Sequence, residues 1–325
     1  MTLLRSRRRS GVAVTVLAVG LTLAAAGCSG SNSKQAPANP TGAGSEPLHG
    51  ATFTVGSKEF TEQLILCHIT SQALQAAGAQ AKEKCGISGS NTTRAALTSG
   101  SIDMYWEYTG TAWISYLKHT NPIPDPTQQY QAVAQEDLTT NQIKWLARAP
   151  GNDTYAIVVK TTKGQELNVT SLSDYARLAN SDPSKASMCV ASEFVSRNDG
   201  LPGLEKAYGF KATTAALAEG AIYNAVAKGD PCNFGEAAST DGRIIALGLS
   251  VLVDDKQFFP VYNLALTLPD KVYQAHPQIA KVMDPIAAAL TTPVLQKLNG
   301  DVDVKGQDPA EVAKTWLQAN GFLTK

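Results

Sequence analysis

The chain predicts an α/β fold with mainly parallel sheets, divided between two domains that face a common cleft. Three observations carry this. Strand-like and helix-like segments alternate along the sequence, the pattern of sheets covered by helices. About 275 residues follow an N-terminal export signal and a polar tether, room for two domains of ordinary size. Polar side chains gather at strand ends and turns in five separate places, "EYTGT", "GNDTY", "SRNDG", "ASTDG" and "FFPVYN". Open α/β sheets bind ligands outside the carboxyl ends of their strands, so two such sheets facing one another line a cleft from both sides.

The first element is an export signal. Arg5, Arg7, Arg8 and Arg9 precede an apolar run from Val12 to Ala26, then "AAGCS". A basic stretch, a short apolar core and small residues before a cysteine read as a lipoprotein signal peptide over residues 1–27, with Cys28 the lipidated N-terminus. Ala25 stands where such signals most often carry leucine. The run is too short and alanine-rich for a transmembrane span. Residues 28–50 are Gly, Ser, Asn, Pro and Ala with almost no bulky apolar side chain, a flexible tether spanning about 25 Å by random-coil scaling. The protein is therefore expected outside the cell membrane, lipid-anchored to its outer face. Removing the signal takes four arginines and no acid from 28 basic and 28 acidic residues, leaving a net charge of −4. That balance argues against nucleic acid as a partner, which requires a basic patch.

"ATFTVGS" alternates as a strand and Thr61 to Ala77 has helical apolar spacing. Between them lies "GSKEFTEQ", with Lys58 where a helix begins. A helix N-terminus already favours negative charge, so the lysine gains nothing locally and the pair forms a positive focus for something anionic. "TRAALTSGSIDMYWEYTGT" reads as a short helix, a glycine stop and a strand ending in a turn. "YAIVVK" and "ASMCVAS" are short buried strands, and "VTSLSDYARLA" starts a helix with Ser173 as N-cap. Near the end, Asp308 is an N-cap, Pro309 takes the first helical position, Glu311 completes a capping box, and Gly321 follows the last turn.

Besides Cys28 four cysteines remain, an even count that suggests disulfides in an exported chain. Of the three connectivities, the sequence-local Cys67–Cys85 and Cys189–Cys232 are preferred. No CxxC occurs and His49, His68, His119 and His276 are scattered, so neither a metal nor a cofactor is expected. An exported enzyme would need a nucleophile–base pair or opposed carboxylates. Glu59, Asp103 and Glu107 lie near the motifs, but no histidine neighbours them and no GxSxG is present. A sensory lipoprotein on the same fold is a further alternative.

Seven segments in order, "GSKEFTEQ", "IDMYWEYTGT", "NDTYAI", "EFVSRNDGLPGLEKAYGF", "STDGRI", "DDKQFFPVYN" and "LNGDVDVKGQDPAEVAKTWL", resemble the substrate-binding proteins of ABC importers for glycine betaine, choline and related quaternary ammonium osmolytes. The resemblance runs from about Thr52 to Phe322. It implies a two-lobed periplasmic-binding-protein fold of type II with two hinge crossover strands. Lobe one is expected over 51–152 plus 262–325, and lobe two over 153–261. It also implies a binding protein without catalysis, a monomer, whose partners are a quaternary ammonium ligand and an ABC permease with its ATPase. Carried over by motif, Tyr108, Tyr155 and Tyr262 form a cage for the ligand's trimethylammonium head, and Asp153 is a further ligand-binding residue. Lys58, Thr111 and Arg197 hold its carboxylate. Where relatives read aspartate-alanine-tyrosine-serine-threonine-aspartate this chain has "EAASTD", so Ala238 replaces a cage tyrosine. Trp106, two residues from Tyr108, is the candidate to fill that gap; the alternative is a ligand bulkier than glycine betaine at that point. The ligand implied is a zwitterion like glycine betaine; carnitine, ergothioneine and choline are the alternatives.

A quaternary ammonium donates no hydrogen bond, so aromatic faces, shape and diffuse electrostatics must hold it. Each ring contributes about 2 kcal/mol when desolvated. Two or three rings then supply a large part of the roughly 8 kcal/mol of micromolar binding.

Overall fold

The structure, a computed structural model, describes residues 47–323. The signal peptide, Cys28 and most of the tether lie outside the described residues. The folded body begins earlier than expected. Leu48, the one bulky apolar side chain at the tether's end, is buried, and its N–H bonds to the Ala77 carbonyl.

Among the described residues ten strands follow in chain order: β1 (Thr52–Lys58), β2 (Gln80–Ile87), β3 (Tyr105–Tyr108), β4 (Ile143–Asn152), β5 (Tyr155–Lys160), β6 (Met188–Val190), β7 (Thr214–Ala216), β8 (Phe234–Ala238), β9 (Leu249–Val251) and β10 (Asn263–Pro269). β1 pairs with β2 in parallel and meets the start of β3 through a parallel Val55–Met104 bridge. β3, β10 and β4 then form an antiparallel group. The strand order is thus β2-β1-β3-β10-β4. The second sheet runs β7-β6-β8-β5-β9. The two orders correspond. In each, a strand arriving from the other sheet, β10 or β5, lies beside the third local strand and runs against it. This is the two-lobed periplasmic-binding-protein fold of type II. The expectation of mainly parallel sheets fails for the same reason: a returning crossover strand enters from the opposite end and must pair antiparallel.

Each sheet is covered on both faces. Ile157 and Val159 of β5 pack with Tyr175, Phe194 and Phe234, while Val158 faces Ile222, Tyr223 and Val226. Burial on both sides explains why "YAIVVK" is a continuous apolar run rather than an alternating one. In the first sheet Phe53, Val55 and Leu266 meet the helix Thr61–Ala76, whose Ile65, Leu66, Ile69 and Leu74 face inward; Leu97, Tyr105 and Trp145 cover the other face.

Cys67 is bonded to Cys85, tying that helix to β2, and Cys189 to Cys232, tying β6 to the segment before β8. Two helix starts differ from expectation. The helix Leu172–Ser181 is capped by Ser171, not Ser173, in a reciprocal box with Asp174; Ser173 lies inside the helix and its hydroxyl donates to Asp255. Asp174 decides this, because its carboxylate reaches back to the Ser171 N–H. Asp308 caps Ala310 and Glu311 as expected, but Glu311 turns toward Lys314 instead of closing a box.

Candidate functional site

The chain leaves β4 and enters β5 through Asn152–Thr154, and returns into β10 through Pro260–Tyr262. These crossovers are bonded side by side. The Asp153 N–H donates to the Tyr262 carbonyl at 3.0 Å, the Tyr262 N–H to Asn152 Oδ1 at 2.7 Å, and Thr154 Oγ1 to the Pro260 carbonyl at 3.0 Å. Asp153, Tyr155 and Tyr262 are therefore fixed relative to one another. The turn after β3 adds a second group. Thr109–Thr111 runs directly into a wide helical turn, Ala112–Tyr116, which holds Thr111 over the same space. Gly110 must be glycine, since a Cβ there would lie 2.7 Å from the Tyr262 ring.

These residues open onto one cavity of about 500 Å³. Lys58, Tyr108, Thr111, Asp153, Tyr155, Arg197 and Tyr262 all line it, and so does Ala238. Tyr155 meets Tyr262 edge-on at 5.5 Å between ring centres and Phe194 at 5.0 Å, and Phe60 stacks on Tyr108 at 6.1 Å. Phe60 and Phe194 also line the cavity and were missed as wall residues. Both sit inside quoted motifs, "GSKEF" and "EFVSR", so motif adjacency was the available signal.

Trp106 does not reach this space. Its indole N–H donates to Thr70 Oγ1 at 2.8 Å and the ring is buried in the first lobe's core. Trp106 and Tyr108 share a face of β3, but the chain turns at Tyr108 and only that ring lies at the edge.

Two of the tyrosines are anchored by carboxylates. The Tyr108 hydroxyl donates to Glu62 Oε1 at 2.8 Å and the Tyr262 hydroxyl to Asp199 Oδ2 at 2.6 Å. A phenol donating to a carboxylate gains electron density over its ring, which strengthens the face a cation meets. Burial holds all three phenols well above their usual titration range, so they are neutral.

The basic residues are not bare. Lys58 Nζ lies 2.7 Å from Glu107 Oε1. Arg197 is bidentate to Asp199, bonds Glu193 at 2.9 Å and approaches Thr111 Oγ1 at 3.4 Å. Lys58 carries three donors, of which one bonds Glu107 among the described residues, and its ammonium lies 5.0 Å from the Tyr108 ring centre. Together with the helix start at Thr61, which has no side-chain cap, it is the freer anion-facing group. Arg197 chiefly organises its neighbours. Acids outnumber bases on the wall: Glu59, Asp153, Glu193, Glu219, Glu236 and Asp303 against Lys58, Arg197 and Arg243. Burial raises Asp153 well above the carboxylate range, aided by Glu62, although Thr240 donates to it at 2.6 Å. Burial would also raise Glu193, but Lys58, the Ser90 hydroxyl and Arg197 hold it at about 2.

Contacts between the lobes flank the cavity. Ser90 donates to Glu193 at 2.6 Å, Asn299 to the Thr240 carbonyl at 3.0 Å, and Arg243 lies 3.6 Å from Asp303. Such a space, walled by aromatic rings, suits a cation that cannot donate hydrogen bonds.

Comparison with known proteins agrees with this geometry. Residues 51–319 match the family described as the substrate binding domain of ABC-type glycine betaine transport system. A glycine-betaine-binding protein of Pseudomonas aeruginosa is 36% identical over 280 residues, covering 84% of this chain and 89% of that one. The glycine betaine-binding protein YehZ of Escherichia coli is 34% identical, covering 85% and 93%. Among solved structures, a glycine betaine/carnitine/choline ABC transporter protein superposes with a TM-score of 0.68 at 26% identity, over 83% of this chain and 99% of that one.

Proposed function

Because the chain belongs to the family of substrate binding domains of ABC-type glycine betaine transport systems, we propose that it captures a quaternary ammonium zwitterion of the glycine betaine kind between its two lobes. It then presents the ligand to a membrane permease driven by an ATPase. The observation that carries this reading is the convergence of Tyr108, Tyr155 and Tyr262 on one cavity. The methylated nitrogen lies against the three rings. The carboxylate tail meets the uncommitted Lys58 donors, the Thr111 hydroxyl and the amides at Thr61.

Ligand contacts from both sides make binding and closure one event. Lys58, Tyr108, Thr111 and Tyr262 belong to lobe one (51–152 plus 262–325), and Tyr155 to lobe two (153–261). A ligand bridging them binds the closed arrangement far better than an open one and shifts the population toward it. The bonded crossovers at Asn152–Thr154 and Pro260–Tyr262 are the hinge. The working form is a monomer outside the cell membrane, tethered through Cys28, and it performs no chemistry on its ligand.

Calorimetry with glycine betaine, choline, glycine and proline tests the reading. Glycine betaine is expected to bind in the micromolar range or tighter, with glycine at least a hundred-fold weaker. Equal binding of methylated and unmethylated amino acids refutes it.

A further inference from the structure

We propose that the cavity contains a second polar subsite, formed by Glu236 and Glu219 around the small side chain of Ala238, which accepts a hydrogen bond from an N–H or O–H group carried on the ligand's carbon skeleton near its methylated nitrogen. The inference rests on the reading above and narrows its substrate class to betaines bearing an additional donor.

The first observation is an orphaned acceptor. Glu236 is 3% exposed, lines the cavity, and its Oε2 has no hydrogen-bond partner among the described residues. Every other wall carboxylate but Glu219 is engaged: Glu59 with Ser88 and Gly89, Asp153 with Thr240, Glu193 with Ser90 and Arg197, and Asp303 with Thr61. A buried acceptor left unpaired is costly, and such groups are rarely retained without a partner to receive.

The second observation is room. Ala238 stands directly across the β5–β8 pair from Tyr155, two residues from Glu236 on the same face of β8. A methyl group there leaves open the space beside the rings. At about 30 Å³ per water-sized group, 500 Å³ holds roughly twice the non-hydrogen atoms of a betaine with an acetate tail.

Glu219 closes the far side. It begins the helix Glu219–Lys228, lines the cavity, and makes no ion pair among the described residues. Burial, and then the Glu219 charge, push the Glu236 carboxyl well above the usual range. A carboxyl of that kind accepts through its carbonyl oxygen and suits a neutral donor better than a second full cation.

Paired ligands isolate the donor. Trimethylhistidine is compared with trimethylphenylalanine, and carnitine with γ-butyrobetaine, each pair differing chiefly in a ring N–H or a single hydroxyl. Calorimetry on the wild-type protein is expected to show at least a ten-fold preference for the donor-bearing member of one pair or both. Glu236→Leu is expected to abolish that preference. Ala238→Tyr, which fills the subsite, is expected to cut binding of the larger betaines ten-fold or more and to tighten glycine betaine. The Ala238→Tyr arm decides the matter should Glu236→Leu fail to fold. The inference is overturned if neither pair shows a preference, or if the preference survives the Glu236 change or, failing that variant, the Ala238 one. Failure of every betaine to bind instead overturns the underlying reading of the cavity.

Discussion

At the scale of single residues, ring faces and acids divide the work, and substitutions separate them. Removing a desolvated ring costs about 2 kcal/mol, so Tyr262→Ala is expected to weaken glycine betaine binding roughly thirty-fold by calorimetry. Tyr262→Phe keeps the ring and loses only the bond to Asp199, so a loss of about three-fold is expected. Equal losses in the two variants would show that the ring face contributes nothing. Glu219 supplies a pH handle. Burial, then the charges of Asp153, Asp241, Glu193 and Glu59, push its carboxyl up to about 7, with the Arg243 guanidinium near Gly220 as the opposing charge. Below that pH it is largely protonated, and a bound cation favours the ionised form. Affinity is therefore expected to rise as pH increases through about 7, by up to ten-fold for each unit by which the cation lowers the Glu219 pKa. Protons are released on binding, measurable by calorimetry in buffers of different ionisation enthalpy. The same raised carboxyl makes unliganded stability fall, not rise, as pH goes from 4.5 to 7, because the unfolded chain ionises first.

At the scale of elements, the turn after β3 and the two disulfides matter most. Gly110→Ala places a methyl group against three atoms of the Tyr262 ring at 2.7–2.9 Å. Overpacking of this kind costs about 1–3 kcal/mol. The expected result is a displaced ring with ligand affinity down about ten-fold, while circular dichroism stays unchanged. Cys189–Cys232 spans 43 residues and closes the core behind β6 and β8. By loop entropy it stabilises the fold by about 4 kcal/mol. Replacing both cysteines by alanine is expected to lower the urea midpoint accordingly. An unchanged midpoint would mean that the pairing is dispensable.

At the scale of the whole molecule, the ligand is part of the stability. A ligand at a hundred times its Kd adds about 2.7 kcal/mol to the folded state. For a body of this size that raises Tm by roughly 5–10 °C. On the proposed hinge reading, the contacts from Ser90 to Glu193 and from Asn299 to Thr240 form on closure, so scattering is expected to show a smaller radius of gyration with ligand than without.

The sequence alone determined the α/β class, most element positions, the preferred cysteine pairs and the residues to watch. Local signals are sufficient for these: period, caps, turn glycines and motif order. Seven motif residues from Lys58 to Tyr262 were nameable through the family resemblance, because they fall in five short, distinctive segments. Tertiary structure decided the rest. That Trp106 faces Thr70 rather than the cavity, and that Arg197 is already engaged by Asp199 and Glu193, depends on partners brought together only by the fold. The direction of β5 and β10 depends on which end of a sheet a crossover enters. The unpartnered Oε2 of Glu236 beside Ala238 is likewise invisible in one dimension, because whether a buried carboxylate oxygen has a partner is a property of the space around it.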